Sequence, residues 1–199
     1  MVADALLSAD QPLLGFTDID PTRHGSLVCG HPVLGNDSVL LDHGFDAVQL
    51  INGIGGTRGE PWRRQVQLGL LAQGWRFAGV RHPCALVSAF AKLAEDIQVL
   101  AAAVIQVDAL IGQGCIVNTG AVIEHGVTVG DYVHIAPRAL LCGDVTVGAH
   151  SHIGAGAVIR QGVRLGEGTV VGAGAVVVDD FLDGGLLVGV PARLVGSRQ

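Results

Sequence analysis

From residue 85 to residue 180 the hydrophobic positions of the chain recur every six residues. Written in sixes, the stretch contains units such as CIVNTG, AVIEHG, VTVGDY and VHIAPR. The third position of all sixteen units is Leu, Val or Ile, from Val87 and Leu93 through to Val177. Neither an alternating strand nor a 3.6-residue helix keeps one column apolar while Gly, Asn and Asp gather in columns four to six. A fixed repeat of this length predicts a solenoid of short strands, in which each hexad makes one wall and three hexads make a triangular coil. The aliphatic column then points inward as a continuous core. The first column is mostly Ala and Val, as suits a strand entering a tight corner, and glycines at the corners supply backbone conformations closed to other residues. Coils stacked at about 4.8 Å give a prism roughly 25 Å tall.

Residues 1–84 have a different texture. Val2 to Ala9 reads as a short helix, PLLGFTD (12–18) as a strand, and HPVLG (31–35) as a segment leading to a short helix over 38–43. DAVQLIN (46–52) reads as a buried strand, 60–73 as a helix with Pro61 in its first turn, and WRFAGV (75–80) as another strand. Strands alternating with helices predict a small parallel α/β unit, Rossmann-like in organisation. Such a unit opens with an apolar strand and a Gly-rich turn, whereas here the first element is a helix. The expectation is therefore a truncated α/β unit, with either a reading frame starting about fifteen residues upstream or a clipped start. The expected division is 1–84 for this unit, 85–180 for the solenoid and 181–199 for a C-terminal cap that leaves the six-residue register.

Composition narrows the functional classes. The chain of 199 residues is 49% hydrophobic yet carries 30 glycines, which suits a solenoid and not a disordered chain. A formal net charge of −6 argues against nucleic acid as a partner. The longest apolar run, around Val99 to Val107, is interrupted by Gln106 and too short to span a bilayer. No basic-then-apolar leader opens the sequence, so a cytoplasmic location is expected. Cys29, Cys84, Cys115 and Cys142 are far apart, which favours free thiols over disulfides or a zinc site.

Candidate chemistry lies in Asn118-Thr119-Gly120-Ala121-Val122-Ile123-Glu124-His125 and in Gly130-Asp131-Tyr132-Val133-His134-Ile135-Ala136-Pro137. Together with GFTDID, HPVLG, HPCALVS and VGVPAR, these runs resemble the hexapeptide-repeat sugar acyltransferases that join a nucleotide-sugar-binding α/β domain to a left-handed parallel β-helix. That group includes N-acetyltransferases of UDP-4-amino-sugars and O-acetyltransferases of sialic acid. The resemblance implies the left hand of the helix, acetyl-CoA as donor, His125 as catalytic base, and a homotrimer with its active site between subunits. It also implies a CoA path past Gly143, Ala155, Ala173 and Arg193. The chemistry suits the residues: imidazole accepts a proton near neutral pH, and a backbone N–H at a Gly corner can donate to an oxyanion. Gly143 falls one coil after His125 and is the expected donor. Asn118, Glu124 and His134 are candidates for orienting the base or the acceptor.

One departure stands out. Family members usually follow this histidine with Asp or Glu, where this chain has Gly126; either another carboxylate substitutes or the base is weaker. Asp18 and Asp20 are candidates for ribose or base contacts, and equally for shaping a turn before Pro21. Gly53 and Gly55 could admit a nucleotide to the backbone, though a lone G-x-G is a weak motif. His134 and His152 should stack on one face. A zinc hydratase on a β-helix needs a histidine pair five residues apart, which this sequence lacks, so no metal is expected. Cys115 reads as small core filler. The acceptor is expected to be the amino group of a nucleotide-linked sugar, with O-acetylation of a sialic-acid-like sugar and an inactive scaffold as the alternatives.

Overall fold

The computed structural model describes residues 1–56 and 62–195. Strands of two or three residues repeat through the solenoid region and form three parallel walls. The first wall runs from Val80–Arg81 through Gln98–Val99, Ile116–Val117, His134–Ile135 and His152–Ile153 to Thr169–Val171. The second runs from Leu86–Val87 to Val176–Val177, and the third from Lys92–Leu93 to Arg164–Leu165. Partners in neighbouring coils are eighteen residues apart, as in Ile116 with His134 and His134 with His152. This arrangement fits a left-handed parallel β-helix.

The third column makes the core as the repeat predicts. Ile105, Ile123, Ile135, Leu141, Ile153 and Ile159 are fully buried, while the bottom members Val87 and Leu93 are partly open. The first column also faces inward, with Ala103, Ala121, Val127 and Ala139 at 0% exposure, so most hexads contribute two buried residues and not one. Cys115 sits in that column, and burial pushes its thiol up to about 12, which makes it core filler and no nucleophile. The corners depart from expectation. The sixth residue of every hexad from Ala102 to Gly174 has positive φ, but Ala102, Asp108, Tyr132, Arg138, Asp144 and His150 are not glycine. Corner bonds such as Asp144 N–H to His125 O, 2.9 Å, tie successive coils together and hold these residues in place.

The N-terminal part is less regular than a parallel α/β unit. Helix α1 (Val2–Ser8) and helix α2 (Trp62–Ala72) form within the expected spans; residues 60 and 61 lie outside the described residues. The sheet is mixed: Phe16–Thr17 lies parallel to His31–Gly35, but Leu27–Val28 runs antiparallel to it. Cys29 and Gly30, both at positive φ, turn this hairpin. The 46–52 and 75–80 segments meet at a single parallel bridge, Leu50 to Phe77. The sequence reading missed the hairpin because no Asn-Gly or Asp-Gly announced it. After residue 180 the tail adds Gly185–Gly189 parallel to the first wall, then Ala192–Leu194 antiparallel, so it caps the prism by extending that wall.

Besides the Gly56–His134 bond described below, two clusters fasten this N-terminal part to the first wall. Ala5 of α1 packs with Val80, Leu100 and Ile116. Below α2, Asn52 Nδ2 donates to Arg63 O (2.9 Å) and Gln67 Oε1 (3.1 Å), and Gln98 Nε2 donates to Asn52 O (2.6 Å). Gln67 also reaches Asp96, whose other oxygen accepts the Gly114 N–H. These buried amide bonds fix the register between α2 and the wall, while Arg63 Nε and Nη2 in the same cluster are buried without a partner among the described residues.

Candidate functional site

The expected site residues fall into two groups on different edges of the prism. His125 occupies the corner between the second and third walls and is exposed. Its imidazole lies flat over Gly143, one coil on: a Cβ at Gly143 would stand 2.5 Å from His125 Cε1 and Nε2. A side chain at 143 would therefore displace the imidazole from this position, and the φ of Gly143 is not what calls for glycine. Among the described residues no carbonyl accepts the Gly143 N–H, which leaves that donor free beside the ring. Glu124, half-buried, precedes His125 at the end of its strand.

The second group lies on the first wall and the corner that follows it. Asn118 Nδ2 donates to His134 Nε2 at 3.1 Å, and Asn118 Oδ1 accepts from Thr119 N–H at 2.7 Å. His134 Nδ1–H donates to the Gly56 carbonyl, so this pair of bonds assigns His134 as the neutral Nδ1–H tautomer. The His152 ring meets His134 edge to face, with centroids 4.9 Å apart. Ala155 and Ala173 stack on the corner that holds Asn118, joined by Gly174 N–H to Ala155 O at 2.9 Å. His134 thus borders both this corner and the α2 loop, while His125 and Gly143 belong to a separate edge of the same chain.

The remaining expected residues lie elsewhere. Asp18 accepts from Asp20 N–H and pairs with Arg23 at 2.6 Å, and Asp20 accepts from the Thr22 N–H and hydroxyl. Both carboxylates are thus engaged in their own turn, and the Thr22 bonds hold the Asp20 carboxyl below its usual range. Around Gly53 and Gly55 there is open space for a side chain, whereas a Cβ at Gly56 would come within 3.2 Å of His134 Nδ1. The third glycine of the run, which the G-x-G pattern passed over, is the one that closes on the wall. Arg193 is exposed on the capping strand, and among the described residues its guanidinium bonds only Ala192 O.

Sequence reasoning also missed a cleft of about 600 Å³ between α2 and the first wall. Arg63, Tyr132, His134, His150 and His152 line it. The signal was present: Tyr132 and His150 are eighteen residues apart, like His134 and His152, and their rings stack at 6.0 Å. Among the described residues no group of three or more His, Cys, Asp or Glu is placed to hold a metal ion.

Burial lowers the proton affinity of both wall histidines. His134 is held below the ordinary imidazole range by desolvation, opposed by its bond to Gly56 and reinforced by the Arg63 charge. His152 is lowered to about 4, by burial first and by His134 second. Between that value and the free side chain's 6.5, the unfolded chain holds more protons than the folded one. Stability therefore rises with pH across that window and is lost on acidification through it. Melting curves should show this as a falling transition temperature, with a shallower slope in His152→Gln. An identical slope in that variant would assign the effect to other groups.

With this geometry in view, comparison with known proteins is informative. The bacterial transferase hexapeptide family model (six repeats) matches residues 108–143 and 144–179. No curated protein sequence matches the chain. Among solved structures, a variant of perosamine N-acetyltransferase from Caulobacter crescentus, in complex with CoA and GDP-perosamine, is 34% identical with a TM-score of 0.89, covering 98% of this chain and 91% of that one. The acetyltransferase domain of PglB from Neisseria gonorrhoeae, in complex with acetyl coenzyme A, is 34% identical with a TM-score of 0.87 over the same shares. WeeI from Acinetobacter baumannii is 26% identical with a TM-score of 0.80, covering 91% of this chain and 85% of that one. No helix among the described residues is long and apolar enough to cross a membrane. The six-residue core, the capped prism and a likeness that runs almost end to end identify the chain as a member of the hexapeptide-repeat sugar acyltransferase family.

Proposed function

We propose that the protein transfers an acetyl group from acetyl-CoA to the amino group of a nucleotide-linked amino sugar. The observation that carries this reading is the 34% identity over 98% of the chain to an N-acetyltransferase bound to CoA and a nucleotide-linked amino sugar. O-acetylation is the less favoured reading, since the relatives named by activity at that level of identity are an N-acetyltransferase and an acetyltransferase domain. The N-terminal part is proposed to hold the nucleotide, Rossmann-like in role though its sheet is mixed.

His125 is the general base. The acceptor nitrogen attacks the thioester carbonyl, a C–N bond forms and the C–S bond breaks. His125 takes the proton released by nitrogen and can return it to the departing thiolate. The free N–H of Gly143, next to the ring, donates to the carbonyl oxygen as negative charge builds there. The split between two edges of one chain supports a homotrimer: His125 and Gly143 of one protomer would face Asn118, His134, Ala155 and Ala173 of the next. Arg193 on the cap is within the part of the chain proposed to meet CoA phosphates.

The test is release of free CoA on mixing the protein with acetyl-CoA and a panel of amino- and hydroxy-sugar nucleotides. Release with amino sugars alone is expected. Release with hydroxyl acceptors alone, or with none, would overturn the reading.

A further inference from the structure

Among the described residues, the buried side-chain nitrogens and oxygens that lack a hydrogen-bond partner are Arg63 Nε, Arg63 Nη2, the Tyr132 hydroxyl and His152 Nδ1. All of them belong to residues that line the cleft between α2 and the first wall. Unpaired polar groups are rare inside proteins and cost stability, so their gathering in one place calls for a cause. Arg63 is the sharpest case, at 6% exposure. Its Nη1 donates to Gly114 O at 2.5 Å, which is enough to clamp α2 to the wall. Nε and Nη2 share the other usable edge of the guanidinium plane, the edge that grips a carboxylate or phosphate with two parallel bonds. Among the described residues no ion pair includes Arg63. The Asp96 charge acts on it, but both Asp96 oxygens are taken, by Gln67 Nε2 and the Gly114 N–H.

The helix itself points the same way. Arg63 and Arg64 stand in the first turn of α2, which holds no acidic residue. The positive end of a helix dipole disfavours cations there, so helix formation does not call for two arginines; an anion seated at this end would offset both. The rest of the cleft is larger and flatter than a lone ion needs. Its volume of about 600 Å³ suits a small molecule. Tyr132 stacks on His150, and His152 meets His134 edge to face, so the walls are rings with polar edges, a surface that fits a sugar. The lining carboxylate, Glu167, is exposed at the rim, 3.8 Å from His150 Nε2. We propose that this cleft is a further small-molecule site, which takes a sugar-sized ligand bearing a phosphate or carboxylate, with Arg63 gripping the oxyanion through its unpaired edge and the Tyr132 hydroxyl adding a bond. The site is distinct from His125 and Gly143 on another edge. It is distinct also from the proposed CoA path along Asn118, Ala155 and Ala173, and it holds whether or not the protein transfers acetyl groups.

Glucose 1-phosphate and glucuronate test this with the full-length protein, with glucose as the neutral control. Calorimetric titration should show binding of at least one charged probe and none of glucose, and the probe that binds tells phosphate from carboxylate. Arg63→Lys keeps the charge and a donor for Gly114 O but loses the two-nitrogen edge. It should weaken binding at least ~10-fold, the scale of hydrogen bonds to a charged group. Tyr132→Phe deletes a hydroxyl that bonds nothing in the free protein. Its melting temperature without ligand should equal or exceed the parent's, while affinity falls about 3- to 10-fold; this variant decides the matter if Arg63→Lys does not fold. Saturating CoA should leave the affinity unchanged. Binding of neither charged probe, equal binding of glucose, parental affinity in Tyr132→Phe, or displacement by CoA would overturn the proposal. CoA release with the acceptor panel tests acetyl transfer separately, so either reading can fail alone.

Discussion

His125→Ala should lower kcat by at least ~10²-fold, the usual contribution of a general base, while thermal unfolding stays as in the parent protein. The two halves of this expectation have separate grounds. His125 is an exposed corner residue whose side chain contributes nothing to the core, and its carbonyl bond to Asp144 N–H survives truncation. Surface substitutions of that kind stay within about 0.5 kcal/mol. Under the proposed mechanism, by contrast, loss of the imidazole leaves the attacking amine without a proton acceptor next to the Gly143 N–H. The KM values for acetyl-CoA and acceptor should change little, because a base contributes mainly in the transition state. Steady-state kinetics beside a melting curve make the check. Activity retained with an intact fold would remove His125 from the mechanism, and His134, the other candidate, would then need the same scrutiny.

Ile135→Asp should abolish cooperative folding. Ile135 is 0% exposed, lies in the middle coil of the first wall, and aligns with Val117 below and Ile153 above in the inward column. A carboxylate there meets only aliphatic side chains and has no partner, so it is either buried charged or protonated at a large penalty. Burying an unpaired charge is one of the few mechanisms by which a single substitution reaches about 4–5 kcal/mol, against a total stability of roughly 5–15 kcal/mol. In a solenoid each coil contacts only its neighbours, so a broken middle coil separates the two ends. Circular dichroism should show loss of the sharp transition, or the protein should fail to accumulate as soluble material. Thr128→Asp, on an exposed wall position one residue before buried Val129, is the control and should melt normally. A normal transition for Ile135→Asp would mean that the third column does not face inward.

How far each feature was legible in the sequence depends on how local its cause is. The hexad pattern specifies the solenoid because every unit repeats the same requirement, one aliphatic side chain inward and a corner at fixed spacing. Sixteen repetitions leave no competing register. The same spacing placed His134 against His152 and Gly143 beside His125, since stacking in a prism is arithmetic along the chain. Cys115 as core filler followed from its column alone.

Tertiary structure decided what depends on contacts between unlike parts. The Cys29–Gly30 hairpin turned an expected parallel sheet into a mixed one. Gly56, and not Gly53 or Gly55, closes on His134, a contact across 78 residues that no local motif encodes. The sequence by itself therefore determined the prism, its core and the identity of the chemical groups, because those follow from a short repeating period. Which groups meet, and on which edge, was set only when separate segments packed, because a long-range contact has no periodicity for a linear pattern to carry.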